Sequence, residues 1–91
     1  MELYDLLQPE AVKVVAAASS KKRVLHDMAQ LAANCYNMRS EVLLDALLER
    51  EKLGPTGVGH GVALPHARSI DVDRVCGAFI LLESPVDFGS V

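Results

Sequence analysis

The 91-residue sequence lacks tryptophan and contains only two tyrosines, two phenylalanines and two cysteines. Few aromatic rings and a formal net charge of -3 argue against nucleic-acid binding, which favours stacking rings and a basic face. Cys35 and Cys76 lie far apart in the sequence and match no metal-ligand spacing, so we interpret them as two buried thiols in a reducing cytosol. The longest apolar run, VCGAFILL at 75–82, is far too short to span a bilayer.

The start of the chain, MELYD, is acidic where a secretory signal peptide would be basic. Together with the absence of a long apolar run, this start predicts a cytoplasmic protein without membrane insertion. Apolar residues make up 51% of the chain and charged residues 23%, which is typical of a globular protein. A chain of this length has room for a single domain with a modest core, which we expect to extend over residues 1–91.

The pattern of apolar residues predicts an α/β protein with a mixed sheet flanked by helices. AVKVVAAA at 11–18 is typical of a strand, and apolar residues spaced by three and four predict a helix at 21–37. A second helix is expected at about 40–53, where a glycine–proline pair ends it, with Gly54 as a left-handed cap. The segment at 74–83 is apolar almost throughout, which predicts a strand buried on both faces.

The sequence after this apolar strand reads SPVDFGSV and then stops. A central strand needs a neighbour on each side, and this chain offers few strands to supply them. The predicted sheet therefore looks incomplete at its C-terminal end. We expect the chain to be either a piece of a longer protein or a homo-oligomer that completes its sheet through a second copy.

The segment GVGHGVALPHARS at 57–69 places alternating glycines before a histidine that follows a proline. The glycines do not complete the dinucleotide fingerprint G-x-G-x-x-G, and the chain has no G-x-x-x-x-G-K-[ST] phosphate loop. His60 and His66 have no third ligand at a recognised spacing, so we predict no metal site. No cofactor is implied by the sequence.

His66 is a candidate nucleophile. A neutral imidazole has one N–H and one lone-pair nitrogen, and a partner that fixes the N–H frees the other nitrogen to attack a phosphoryl group. Arg50 and Arg68 are candidate cations for the phosphoryl oxygens, while Gly57 and Gly59 leave space for a docking partner. The alternative is a surface histidine without a chemical role, with an arginine that only pairs with a neighbouring glutamate on its helix.

The segment LLEREKLGPTGVGHGVALPHAR resembles the active-site region of enzyme IIA domains of the fructose/mannitol type, from the bacterial sugar phosphotransferase system. The resemblance extends from DLLQPEAV near the start to ESPVDFG near the end. The glycine turn is most similar to the nitrogen-regulatory branch, although position 60, usually asparagine there, is His60. The family domain is longer than this chain, so the resemblance implies that residues 1–91 correspond to its N-terminal part.

The resemblance also implies a mechanism. His66 would accept a phosphoryl group on Nε2 from a phosphohistidine on an HPr-type carrier, and Arg50 would approach that group. A second supporting histidine of the family would lie beyond Val91. The predicted site therefore consists of His66 and Arg50, supported by Thr56, Gly57, Gly59 and Arg68, with His60 at its rim.

Three functions remain open at this point. In the nitrogen-regulatory branch, the phosphorylation state would control binding to regulatory target proteins. A sugar-specific enzyme IIA would instead pass the phosphoryl group to a cysteine of a IIB domain and then to a sugar. A pure interaction module would bind a target through the glycine-rich segment, with no phosphate involved.

Overall fold

The computed structural model describes residues 3–89. Its elements, in chain order, are α1 (Leu3–Leu6), β1 (Leu7–Val15), α2 (Lys21–Tyr36), α3 (Ser40–Lys52), β2 (Gly57–Gly59), β3 (Val62–Ala63) and β4 (Gly77–Leu82). The α/β class and the two long helices are confirmed. The first strand lies earlier than the predicted range 11–18, because only residues up to Val15 find backbone partners along β4.

The strands form two small sheets within the described residues. β1 and β4 pair in parallel, with Val12 beside Phe79 and Val14 beside Leu81. The register shifts between Leu7 and Val12. The sequence there contains a proline, which has no N–H to donate to a sheet. β2 and β3 form a short antiparallel hairpin.

The core lies mainly between α2 and α3. Four buried residues form its centre: Leu25, Ala29, Leu43 and Leu47. Leu25 is only 1% exposed, and burying a leucine side chain contributes about 1.5–3 kcal/mol. Phe88, near the end of the described residues, packs against this cluster from outside the two helices.

The hydroxyl of Tyr36 joins the end of α2 to the paired strands. Its oxygen lies 2.9 Å from the carbonyl oxygen of Leu6 and 2.5 Å from that of Gly77. It also accepts a hydrogen bond from the N–H of Gln8 at 3.2 Å. One side chain therefore ties α2 to the starts of both β1 and β4.

The prediction that the strand at 74–83 is buried on both faces is wrong. Phe79 is 50% exposed and Leu81 53% exposed, and the neighbouring Val12 and Val14 are exposed to a similar extent. Along β1, in contrast, Ala11 is fully buried. The reason is that, of the two long helices, only α2 packs closely against the paired strands within the described residues.

The two cysteines are free and partly exposed, so the prediction of buried thiols is also wrong. Cys35 lies in the last turn of α2, and Cys76 lies just before β4. Both positions are at the ends of elements, where neighbouring chain surrounds a side chain less completely than in the middle of the core.

Candidate functional site

The end of α3 and the β2–β3 hairpin meet at one corner of the molecule, which we call the site corner (residues 50–66). α3 closes with hydrogen bonds from the N–H groups of Leu53 and Gly54 back to its last turn. Gly54 has a φ of 155°, more extended than the left-handed cap predicted for it. Beyond β3, the N–H of Leu64 donates to the carbonyl of Thr56 at 2.9 Å, which holds the following residues against the hairpin.

The imidazole of His66 is exposed, and both of its nitrogens have a partner. Nδ1 lies 2.9 Å from the carbonyl oxygen of Leu64, and Nε2 lies 3.2 Å from the Nε of Arg50. A carbonyl only accepts hydrogen bonds, so Nδ1 carries the proton. The lone pair of Nε2 then accepts the N–H of Arg50. This geometry selects one neutral tautomer, with its nucleophilic nitrogen on the side of the guanidinium.

Arg50 reaches His66 because its guanidinium is also held from the other side. Its Nη1 donates to the carbonyl of Gly54 at 2.9 Å. The alternative in which Arg50 only pairs with a neighbouring glutamate is wrong, because those glutamates have other partners. Glu49 pairs with Lys52 at 2.9 Å, and Glu51 pairs with a lysine at the start of α2.

Thr56 is buried, with only 4% of its surface exposed, and binds Glu51 twice. Its N–H donates to Oε2 of Glu51 at 2.9 Å, and its hydroxyl donates to Oε1 at 2.6 Å. The ammonium of Lys21 lies 2.6 Å from the same Oε2. Burial alone would raise the pKa of Glu51, but the bonds from Lys21 and Thr56 outweigh burial and lower it. The carboxylate is therefore charged at neutral pH.

Sequence reasoning missed Glu51 and Lys21 as parts of this corner. Glu51 follows Arg50 directly, so its nearness to the site was visible in the sequence. Lys21 opens a different helix, and no local spacing rule links it to the end of α3. Only the packing of α2 against α3 brings the two charges together.

The hairpin turn explains the alternating glycines. Gly59 pairs with Val62, which leaves His60 and Gly61 as a two-residue turn. Their φ values are 58° and 75°, the positive values that a type I′ turn requires and that asparagine–glycine pairs favour. His60 is exposed in this turn, and no hydrogen bond joins it to His66 within the described part of the chain.

Open space surrounds the glycines of the hairpin turn. A Cβ on Gly59 (φ 86°) or Gly61 would meet no atom within 4 Å, so their backbone conformation, rather than a lack of room, demands glycine. Gly57, at the start of β2, is instead buried beside Thr56. Of the predicted supports, Gly57 thus belongs to the base of the hairpin and Gly59 to its tip.

Arg68 is exposed on the segment after His66, and the structure does not bring it into hydrogen-bonding contact with the imidazole. The same segment is anchored further on by Asp71. This carboxylate accepts the backbone N–H of Arg39 at 2.9 Å and pairs with its guanidinium at 2.7 Å. Hydrogen bonds from the Arg39 side chain and backbone lower the pKa of Asp71. The anchor fixes the far end of the segment on the start of α3.

Residues 3–89 contain no cluster of three or more histidine, cysteine, aspartate or glutamate side chains that could hold a metal ion. Among the helices of the same residues, none is long and apolar enough to cross a membrane. Every fully buried side-chain nitrogen or oxygen in this part of the chain has a hydrogen-bond partner.

Comparison with protein families matches residues 5–91 to EIIA 2 of the phosphoenolpyruvate-dependent sugar phosphotransferase system. The chain belongs to this EIIA family. It is 38% identical over 91 residues to a nitrogen regulatory protein of Bradyrhizobium diazoefficiens, covering all of this chain and 60% of the relative. It is 36% identical over 92 residues to the nitrogen regulatory protein of Escherichia coli (strain K12), covering 100% of this chain and 56% of that protein.

A solved structure supports the same relationship. The crystal structure of nitrogen regulatory protein IIA-Ntr from Neisseria meningitidis matches this EIIA chain with a TM-score of 0.83 and 34% sequence identity. The match covers 92% of this chain and 57% of that structure. The resemblance to the nitrogen-regulatory branch is thus confirmed, and the chain spans about 60% of the length of the Bradyrhizobium relative.

Proposed function

We propose that this EIIA chain is a cytoplasmic histidine phosphocarrier that accepts a phosphoryl group on Nε2 of His66 from an HPr-type carrier. The observation that carries the proposal is the arrangement of the two ring nitrogens. Nδ1–H donates to the carbonyl of Leu64, so the lone pair lies on Nε2, 3.2 Å from the Nε of Arg50. A fixed tautomer beside a cation suits attack on a phosphoryl group.

The transfer step follows from this geometry. The lone pair of Nε2 forms the new N–P bond while the N–P bond of the carrier breaks, and that electron pair returns to the carrier's imidazole. In the unphosphorylated chain, Arg50 occupies the space beside Nε2. The incoming phosphoryl group therefore displaces the guanidinium, which then turns to the phosphoryl oxygens. The bond from Nδ1–H to Leu64 disperses the positive charge that develops on the ring.

The surface around His66 suits a protein partner. Val58, Val62 and Leu64 are each at least half exposed on the hairpin and the residues that follow it. The glycines of the turn add no side chains that would obstruct a docking protein. Arg68, two residues after His66, offers a further cation at the edge of this surface. These features support docking of a phosphorylated carrier.

For the fate of the phosphoryl group, we propose a regulatory role in which phosphorylation controls the binding of target proteins. The relatives named nitrogen regulatory proteins support this choice. A sugar-specific role is the second candidate, because the matched family is described as part of a sugar phosphotransferase system. In that case the phosphoryl group would pass to a cysteine of a IIB domain.

The test is incubation with a phosphorylated HPr-type carrier, followed by intact-mass measurement before and after acid treatment. We expect the gain of one phosphate that acid removes, since phosphohistidine is acid-labile. No gain would reject the phosphocarrier and leave an interaction module. A IIB domain and sugar are then added to the phosphorylated protein. Retention of the phosphate supports the regulatory role, and transfer to the IIB cysteine supports the sugar-specific one.

A further inference from the structure

The carboxylate of Glu51 is enclosed by hydrogen-bond donors, unlike that of an ordinary surface glutamate. Its side chain is only 7% exposed, although it lies in the last turn of a helix rich in exposed charges. Three donors bind its two oxygens: the ammonium of Lys21 at 2.6 Å, the N–H of Thr56 at 2.9 Å and the hydroxyl of Thr56 at 2.6 Å. A carboxylate this enclosed is stable only while these donors remain, because its desolvation must be offset.

The bonds of Glu51 continue to the imidazole through the backbone of the hairpin. Thr56, held by Glu51, accepts the N–H of Leu64 on its carbonyl oxygen at 2.9 Å. Leu64 in turn accepts Nδ1–H of His66 on its own carbonyl oxygen, also at 2.9 Å. An unbroken series of hydrogen bonds therefore runs from the start of α2 to the ring nitrogen that must keep its proton.

Two consecutive residues of α3 thus act on opposite sides of one ring. Arg50 contacts Nε2 directly, whereas Glu51 reaches Nδ1 through Thr56 and Leu64. The carbonyl of Leu64 selects the tautomer only while the hairpin keeps it in place. Among the hydrogen bonds of the described residues, Glu51 is the only side chain of α3 that binds Thr56.

We propose that Glu51, as a carboxylate paired with Lys21, is a positioning residue that fixes the Nδ1–H tautomer of His66 by holding Thr56 and, through it, Leu64. The inference rests on the proposed phosphocarrier function and names what prepares Nε2 for attack. A purely structural role is the competing explanation, since Lys21 also donates to the carbonyl of Phe88 at 3.0 Å and lies 5.2 Å from its ring centre.

The first test compares Glu51→Gln with Glu49→Gln in the full chain. Glu49 lies on the same helical turn, but its side chain is 73% exposed and, within the described residues, its ion pair is with Lys52, so it is a matched control. Nitrogen-15 NMR of the His66 ring, without any carrier, reports which nitrogen is protonated. Uptake of phosphate over a series of phospho-carrier concentrations separates the maximal rate from the concentration that gives half of it.

For folded Glu51→Gln we expect a mixture of His66 tautomers and a maximal rate lowered about tenfold or more, because small errors of position are costly in group transfer. The half-saturating carrier concentration should stay near the wild-type value, since the docking surface is unchanged. Glu49→Gln should match the wild type in both measurements. A wild-type tautomer or a wild-type maximal rate in folded Glu51→Gln would overturn the inference.

If Glu51→Gln does not fold, a second pair of variants, at Thr56, tests the positioning role. Thr56→Val removes the hydroxyl that binds Oε1 of Glu51, and Thr56→Ser keeps it. We expect Thr56→Val to shift the His66 tautomer and lower the maximal rate, and Thr56→Ser to resemble the wild type. If the valine and serine variants gave the same tautomer and rate, the hydroxyl would have no positioning role and the inference would fail.

The two proposals fail in different ways. If the wild-type chain takes up no phosphate but the variants still shift the tautomer, the positioning role of Glu51 stands and the phosphocarrier function is rejected. If the wild type is phosphorylated and the variants leave the tautomer and the rate unchanged, the function stands and the positioning role is rejected.

Discussion

The site corner and the paired strands β1 and β4 are held together in different ways. In the site corner, side-chain hydrogen bonds occupy both nitrogens of His66 and both oxygens of Glu51. In the strands, backbone pairing and packing on one face predominate, with the Tyr36 hydroxyl joining their starts, and residues such as Phe79 remain half exposed. Group transfer needs precise angles, which polar bonds supply. Changes in the two regions should therefore have separable effects.

The largest expected effect is the loss of phosphate uptake in His66→Ala. The imidazole is exposed, so the free energy of unfolding should change by no more than about 0.5 kcal/mol. Intact mass after incubation with phospho-carrier and urea unfolding would measure the two quantities. His26→Ala, which changes an exposed histidine on α2, should leave both unchanged. Phosphate uptake by His66→Ala would place the acceptor elsewhere.

Leu25→Ala should lower the stability of the fold and leave the rate of phosphate uptake unchanged. Leu25 is 1% exposed in the core between α2 and α3, so we expect a loss of about 2–5 kcal/mol in the free energy of unfolding. The folded fraction should still accept phosphate at the wild-type rate, since no site residue is altered. Leu53→Ala, at a position 84% exposed, is the control and should change stability by about 0.5 kcal/mol or less. Similar losses for both variants would contradict the assigned core.

Arg50→Ala should slow uptake of phosphate by about tenfold to a hundredfold without preventing docking of the carrier. The guanidinium lies beside Nε2 and would stabilise the charge on the phosphoryl oxygens during transfer. Single-turnover kinetics would measure the rate. Arg23→Ala, which changes an exposed arginine paired with Asp27 on α2, is the control. An unchanged rate in Arg50→Ala would mean that its contact with His66 has no role in transfer.

The pH dependence of stability should reveal the charge at Glu51. Its pKa is lowered in the folded chain, so its stabilising contribution is complete above the ordinary glutamate value near about 4.3. That contribution is lost as the pH falls through the lower folded pKa. The difference in unfolding free energy between wild type and Glu51→Gln should therefore shrink as the pH falls below the ordinary glutamate pKa. A difference independent of pH would contradict a charged carboxylate, and Glu49→Gln, which changes an exposed glutamate, is the control.

The smallest expected effect is that of His60→Asn. Asparagine favours the positive φ of this turn at least as well as histidine, so stability should be equal or slightly higher. Uptake of phosphate should stay within about twofold of the wild type, because His60 is exposed and both ring nitrogens of His66 have other partners. His60→Val, with a branched side chain at φ 58°, should cost about 1–2 kcal/mol. A large loss of uptake in His60→Asn would place His60 inside the site.

Helices and strands differ in how well the sequence predicts them, because local residues determine helix limits whereas distant partners determine strand limits and burial. The helices at Lys21–Tyr36 and Ser40–Lys52 were predicted within a residue or so, because apolar spacing and caps act locally. The first strand was displaced, and β4 proved half exposed, because strand limits and burial depend on partners distant in the sequence. Local patterns describe such partners poorly.

In the candidate site, too, features set by local sequence can be predicted and features set by distant packing cannot. The nearness of Arg50 to His66 was expected from a family resemblance, since no spacing rule joins a helix end to a residue beyond the next hairpin. The pairing of Lys21 with Glu51 was missed, because it depends on how α2 packs against α3. The type I′ turn at His60 and Gly61 could have been predicted locally, since glycine readily adopts the positive φ values that this turn requires.

The most direct test of the account is to identify the nitrogen that carries the phosphoryl group. The full chain, labelled with nitrogen-15 in its histidines, would be phosphorylated by an HPr-type carrier and studied by NMR at alkaline pH. We expect a single phosphohistidine, His66, with phosphorus on Nε2 and the proton on Nδ1 facing Leu64. Phosphorus on Nδ1 of His66, or on His26 or His60, would contradict it.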